Sequence, residues 1–173
     1  VGALGEATPV PGRLERCDDP LEDDLVAVVD YAHTPDALAR ILQSLRHLTT
    51  GRLWCVFGCG GMRDTGKRPL MAKLAERLAD RVVITSDNPR EEDPLEIIDD
   101  VVAGLARPES ATVIEDRAVA IAWVVAQADE RDVVLIAGKG HEGFQQLGDK
   151  SRPFSDYAVA EAALVAAANR GNT

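Results

Sequence analysis

Basic residues are in short supply in this chain: Lys and Arg total 19 against 29 Asp and Glu, a net charge of −10. Sequence-independent nucleic-acid binding needs positive charge to set against phosphate, so nucleic acid is not expected as a partner. An anionic membrane surface is disfavoured for the same reason. Small anions stay compatible, because a few local Arg and Lys can hold them inside an acidic whole. Long apolar runs are lacking too. The longest, Ala118–Ala126, is far too short to cross a bilayer, and the first residues show no basic start followed by an apolar stretch. Cysteine is scarce and odd in number, three residues in unrelated contexts, which argues against a disulfide framework and for a reducing compartment. No repeat, heptad array or low-complexity tract is present.

What is there is a globular composition, 46% hydrophobic and 28% charged over 173 residues. That length builds one domain whose core needs no staples. Residues 1–24, with Gly2, Gly5, Pro9, Pro11 and Gly12 followed by an acidic stretch from Asp18 to Asp24, read as a linker and the start of the domain, with a short strand near Leu14. From residue 25 to 173 the chain alternates. Strands are expected at Leu25–Tyr31, Leu53–Phe57, Arg81–Thr85, Thr112–Glu115 and Val133–Ala137, where short Val- and Ile-rich runs stand between polar boundaries. Helices fall between and after them. Thr34-Pro35 opens one through Leu48, with Leu38, Ile41, Leu42 and Leu45 at helical spacing. Pro69–Ala79 forms the next, with Leu70, Leu74 and Leu78 on its apolar face. Asp93-Pro94-Leu95-Glu96 opens a third through about Leu105, Asp116 caps a fourth through about Ala128, and Tyr157–Ala168 is the last. Strands and helices in this alternation give an α/β fold: a Rossmann-like, doubly wound, mostly parallel sheet with helices on both faces.

In such sheets ligands bind beyond the carboxyl ends of the strands. The segments after the strands are Asp30–Pro35, Gly58–Asp64, Ser86–Arg90 and Gly138–Glu142, all dense in polar residues or glycine. The loops at the opposite edge (Thr49–Arg52, Asp80, Glu109–Ala111, Asp129–Asp132) read as plain surface turns. Gly58-Cys59-Gly60-Gly61-Met62-Arg63 starts like a dinucleotide fingerprint, but Arg63 stands where the third glycine belongs, which counts against a nicotinamide oxidoreductase. Gly61 to Lys67 has the spacing of a phosphate loop, yet the following Arg68 has no hydroxyl for magnesium.

Asp87, Asn88 and Arg90 bring an acceptor, an amide and a guanidinium together around the stiff Pro89. The set suits a zwitterion: Arg90 as a fork on a carboxylate, Asp87 on an ammonium. An Asp–Arg pair that merely stabilises the turn is the other reading. Gly138-Lys139-Gly140-His141-Glu142 permits close backbone approach and offers Glu142 as a second anion for an amino group; a strand-to-hairpin turn with a solvated Glu is its alternative. His33 and His141 have no third ligand at a suitable spacing, so no metal site is expected.

Five segments, Val10–Arg16, Asp30–Pro35, Phe57–Gly61, Asp87–Arg90 and Gly138–Glu142, occur in the order found in Mur ligases. The chain resembles the C-terminal domain of that family, and its Asp-Asn-Pro-Arg motif resembles that of the members adding meso-diaminopimelate rather than lysine. The resemblance implies ATP-dependent amide-bond formation in peptidoglycan precursor synthesis, in the bacterial cytoplasm. ATP with Mg2+ activates the γ-carboxylate of UDP-N-acetylmuramoyl-L-alanyl-D-glutamate, and the amine of the incoming amino acid attacks the acyl phosphate. It further implies that Arg63, Asp87, Asn88, Pro89, Arg90, Gly138 and Glu142 form the meso-diaminopimelate site, with Lys139 a weaker candidate. Arg13, near the phosphates, and Asp30, at the ribose, resemble positions contacting ATP, and His33 lies in the same loop. The family's UDP-binding and central ATPase domains have no counterpart in these residues, so the 173-residue chain alone is expected not to ligate. A stand-alone amino-acid-binding module on the same scaffold is the alternative.

Overall fold

The computed structural model describes residues 11–17 and 25–171. The linker expected over residues 1–24 lies mostly outside them. Eight strands and five helices follow in order: β1 (Glu15–Arg16), β2 (Val26–Asp30), α1 (Pro35–Arg46), β3 (Leu53–Phe57), α2 (Lys67–Leu78), β4 (Arg81–Ile84), α3 (Pro94–Val102), β5 (Ala111–Val113), α4 (Arg117–Gln127), β6 (Val133–Ala137), β7 (Phe144–Leu147), β8 (Lys150–Pro153) and α5 (Asp156–Gly171). Six strands form one sheet in the order β1-β2-β6-β3-β4-β5. Only the β1–β2 pairing is antiparallel; the other four are parallel.

The sheet is buried on both faces, so its strands are apolar throughout and alternate residues serve different cores. Leu53, Cys55 and Phe57 of β3 and Leu135 of β6 pack with α1, α2 and α3. Trp54, Val56, Val134 and Ile136 face α4 and α5. Each fully buried Leu or Ile contributes roughly 1.5–3 kcal/mol.

The helix starts follow local chemistry. Thr34 Oγ1 accepts from Ala37 N, and the carboxylates of Asp93 and Asp116 accept from the first amides of α3 and α4. One helix turns a different face inward from that expected. In α2 the buried residues are Arg68, Met71, Ala72 and Ala75, while Leu70 is 53% exposed. A leucine spacing of four fits either face. The choice falls to Arg68, which is 2% exposed and turns its guanidinium to Glu92 and Asp100.

The hairpin β7–β8 is a separate two-stranded sheet that the strand–helix pattern did not indicate. Its polar sequence carries no apolar alternation, and it is held by bonding to a loop: Arg90 N donates to Gln146 O, and Gly148 N donates to Arg90 O.

Connectivity fixes where the site lies. The chain leaves β2 over α1 to reach β3, passing β6, which is entered later from the other face through α4. The strand order therefore switches on either side of β6, where the carboxyl ends part and leave a crevice.

Candidate functional site

A cavity of about 390 Å³ opens at that crevice. Six of the residues expected to hold an amino acid line it: Arg63, Asp87, Asn88, Arg90, Gly138 and Glu142. His33 lines it as well, together with Tyr31, Asp64 and Lys67, which sequence reasoning had not assigned. Pro89 is buried behind the wall; its carbonyl would lie 1.9 Å from a Cβ at Gly61. Gly61 is therefore required for the β3 and β4 loops to meet, and this part of the glycine run serves loop packing. Gly138 has φ +118°, a conformation that side chains resist, and donates its N–H to Asp30 O at 3.0 Å.

Asp30 and Arg13 stand outside the cavity lining. Both carboxylate oxygens of Asp30 accept backbone amides, from Leu14 at 2.9 Å and Ala32 at 2.8 Å, so this residue fastens the first described segment to the end of β2. Arg13 is exposed, its guanidinium carbon 5.8 Å from the centre of the Tyr31 ring. The Tyr31 ring also packs edge-on against His33, and the backbone oxygen of His33 accepts from Lys67 Nζ at 2.8 Å.

The far wall is wired through Lys139. This side chain is fully buried, and its ammonium reaches Asn88 Oδ1 and Glu142 Oε2, both at 3.0 Å, and Asp87 Oδ1 at 3.6 Å. Asn88 in turn donates Nδ2 to Glu142 Oε2 at 2.9 Å and accepts Gln146 N on Oδ1 at 2.9 Å. A protein ammonium thus already lies beside Asp87, and Lys139 sits behind the cavity rather than in its lining. Glu142 is not a fully solvated turn residue: it is half-buried and bonded into this cage. Arg90, at φ +55°, donates one nitrogen to Gly61 O at 2.7 Å and leaves the rest of its fork without a partner among the described residues.

Two buried arginines hold the site from behind, and sequence reasoning had missed both as site elements. Arg117 and Asp156 are each fully buried and paired through two bonds of 2.7 and 2.8 Å. Arg117 also donates to Ser86 O and Ala137 O, the carbonyls immediately before Asp87 and Gly138. Burial alone would push the Arg117 guanidinium down, but Asp156, with Asp87 and Glu142 beyond it, raises it. Arg68 reaches Glu92, Asp100 and Gly60 O, tying α2 and α3 to the β3 loop. Here too the carboxylates outweigh burial and hold the guanidinium up.

The opposite edge is less plain than expected. Asp132, 2% exposed, accepts from Trp54 Nε1, Arg52 N, Arg52 Nε and Asp129 N. Burial pushes its carboxyl up, but these bonds and the Arg52 charge hold it below the usual range. The three cysteines are buried and form no disulfide, and burial pushes Cys55 up to about 12 and Cys59 to about 11. Among the described residues no group of three or more His, Cys, Asp or Glu could hold a metal ion, and no helix is long and apolar enough to cross a membrane.

A parallel α/β domain with a polar cavity at its switch point, lined by carboxylates and guanidinium groups together, belongs to the doubly wound class, whose ligands are held at such crevices. Residues 12–140 match the family described as "Mur ligase, glutamate ligase domain", and the chain belongs to that family. It is 54% identical over 165 residues to UDP-N-acetylmuramoyl-L-alanyl-D-glutamate--2,6-diaminopimelate ligase of Prochlorococcus marinus, covering 94% of this chain and 32% of the relative. A solved structure of a ligase of the same description superposes with a TM-score of 0.85 at 44% identity, over 92% of this chain and 32% of that one. The fold is shared more distantly by a bifunctional folylpolyglutamate synthase/dihydrofolate synthase of Yersinia pestis, solved with AMPPNP and a Mn ion (TM-score 0.61, 18% identity, 92% of this chain and 32% of that one). The chain spans about a third of the length of the curated relatives it matches.

Proposed function

We propose that this chain is the amino-acid-accepting part of an ATP-dependent ligase. The enzyme would join meso-diaminopimelate to UDP-N-acetylmuramoyl-L-alanyl-D-glutamate during peptidoglycan precursor synthesis in the bacterial cytoplasm. The observation that carries the reading is that one cavity is lined by Arg63 and Arg90 together with Asp87 and Glu142. Such a cavity suits an amino acid gripped by both its charged groups. The matching relatives are named for this reaction.

In this reading Arg90, anchored on Gly61 O, keeps nitrogens for a bidentate contact with the distal carboxylate, and Arg63 adds a second cation on the same wall. Asp87 and Glu142 take the distal ammonium. One amino-acid end is thereby immobilised, and the other amine is left to attack an activated carboxylate, an advantage of position rather than of acid–base chemistry. Holding the nucleotide falls to Arg13, Asp30 and His33. Arg13 is exposed beside the ring of Tyr31, which lines the cavity, and His33 lies in the cavity wall, which suits an anionic ligand arriving from that side. ATP would supply the phosphoryl group that activates the acceptor carboxylate. No magnesium site is assigned to the described residues.

Calorimetric titration with meso-diaminopimelate, with L-lysine as control, tests the reading. Saturable binding of the first and not the second is expected; equal binding of both would remove the assignment of the distal carboxylate to Arg63 and Arg90.

A further inference from the structure

We propose that Lys139 is a positioning residue: a buried counter-ion that keeps Asp87 and Glu142 both ionised side by side and aims one oxygen of each into the cavity. The use of that pair to grip an ammonium rests on the proposed function; its electrostatics do not.

The geometry is closed around the ammonium. The ammonium donates to Asn88 Oδ1 and Glu142 Oε2, Asp87 Oδ1 stands 3.6 Å away at ion-pair distance, and no part of the side chain reaches solvent. Each carboxylate therefore turns one oxygen inward. Glu142 Oε1 and Asp87 Oδ2 have no hydrogen-bond partner among the described residues, and both side chains line the cavity. Asn88 cannot flip to weaken the cage, because Gln146 N needs its Oδ1 and Glu142 needs its Nδ2. The hairpin closes the back: Gln145 Nε2 donates to Asp87 O at 2.7 Å, and Gln145 Oε1 is itself held by Arg152.

Two carboxylates within reach of one ammonium would, without it, repel each other in a partly desolvated pocket, and one would take up a proton. A protonated carboxyl donates a hydrogen bond and is a poor partner for an ammonium. Other charges face the pair but do not replace Lys139. Arg117 lies beneath and acts on both carboxylates, yet its own bonds go to Asp156 and two carbonyls. Arg63, Lys67, Arg90 and Asp64 lie around the same cavity, with His33 in its wall. Lys139 leaves the pair with one net negative charge, the charge that one incoming ammonium neutralises.

The test reads the charge states of Asp87 and Glu142 at pH 7 from their carboxyl carbon NMR shifts, without ligand, in the wild-type chain, in Lys139→Gln and in Lys139→Gln/Glu142→Gln. Two carboxylates are expected in the wild type, one protonated carboxyl in the single variant, and an ionised Asp87 again in the double variant, which restores one net charge. Meso-diaminopimelate affinity should fall at least tenfold in the single variant. Two ionised carboxylates in a folded Lys139→Gln would overturn the proposal. If the single variant does not fold but the double variant does, charge imbalance is the cause and the proposal stands; if neither folds, Lys139 serves packing alone and it falls. A wild type that binds no meso-diaminopimelate overturns the proposed function and leaves the carboxyl readout to decide this one.

Discussion

Replacing Asp156 by alanine isolates the deepest support of the site. The carboxylate is fully buried and makes two bonds, 2.7 and 2.8 Å, to an equally buried Arg117. Its removal strands a guanidinium with no solvent to turn to, a situation that costs about 3–5 kcal/mol. For a domain of this size that lowers Tm by about 6–20 °C. The loss should not stay local, because the same guanidinium bonds the carbonyls preceding Asp87 and Gly138. A folded Asp156→Ala chain should therefore bind meso-diaminopimelate more weakly as well. Urea unfolding of Asp156→Ala, Arg117→Met and the double variant Arg117→Met/Asp156→Leu measures the coupling. The double variant should lose less than Asp156→Ala, since an apolar pair of similar volume leaves no buried charge and strands only the two carbonyls. A cost below about 1 kcal/mol for Asp156→Ala, the level of an exposed pair, would refute the reasoning.

Arg90→Ala should weaken meso-diaminopimelate binding by about 2–4 kcal/mol through loss of the carboxylate fork, read by calorimetry; an unchanged affinity would move carboxylate recognition elsewhere. At pH 8 the thiols of Cys55 and Cys59, pushed up to about 12 and about 11 by burial, should resist alkylation in the folded chain and react on unfolding, and mass spectrometry of the two peptides reads the difference. Acid sensitivity should involve Asp132, which hydrogen bonds from Trp54, Arg52 and Asp129 hold below its ordinary range despite burial. A lowered folded-state value stabilises the protein above the unfolded value, about 3.9, and that stability is lost as pH falls through the folded value. Asp132→Asn should therefore lower stability at pH 7 and flatten its decline below pH 4, measured by urea midpoints across pH.

The parallel core was legible because its signals are local. Five short apolar runs, the Thr34, Asp93 and Asp116 caps and two helix-opening prolines each state their structure within a few residues. The carboxyl-edge loops were legible for a topological reason, since a doubly wound sheet brings them to one side whatever their sequence. What escaped depends on contacts between distant residues. Arg117 and Asp156 are 39 positions apart, and the Arg68 partners Glu92 and Asp100 lie 24 and 32 away. Nothing local marks such a charge as buried. The α2 face was misread for the same reason: leucines at a spacing of four outvoted an arginine whose partners lie on α3 and in the loop before it. The burial of Lys139 was not legible either, because its two flanking glycines read as room for a ligand, whereas they let the backbone bend around Asp30 and Tyr31 and turn the lysine inward.

The charges of the cavity wall bear on which amino acid belongs there. Arg63, Lys67 and Arg90 are set against Asp64, Asp87 and Glu142, so the lining balances, and the buried Lys139 behind it tips the ensemble to one positive charge. Lysine carries one net positive charge at neutral pH, and diaminopimelate, with two ammonium and two carboxylate groups, carries none. Lysine would leave Arg90's fork without an anion and bring one more cation to a site already positive. Diaminopimelate answers every free group with its opposite. Leaving a desolvated charge without its partner discriminates more strongly than a missing apolar contact does. Selectivity in this reading therefore comes from the arginines rather than from the carboxylates. It should collapse on changing Arg90 while the response to an amino group, set by Asp87, Glu142 and Lys139, persists.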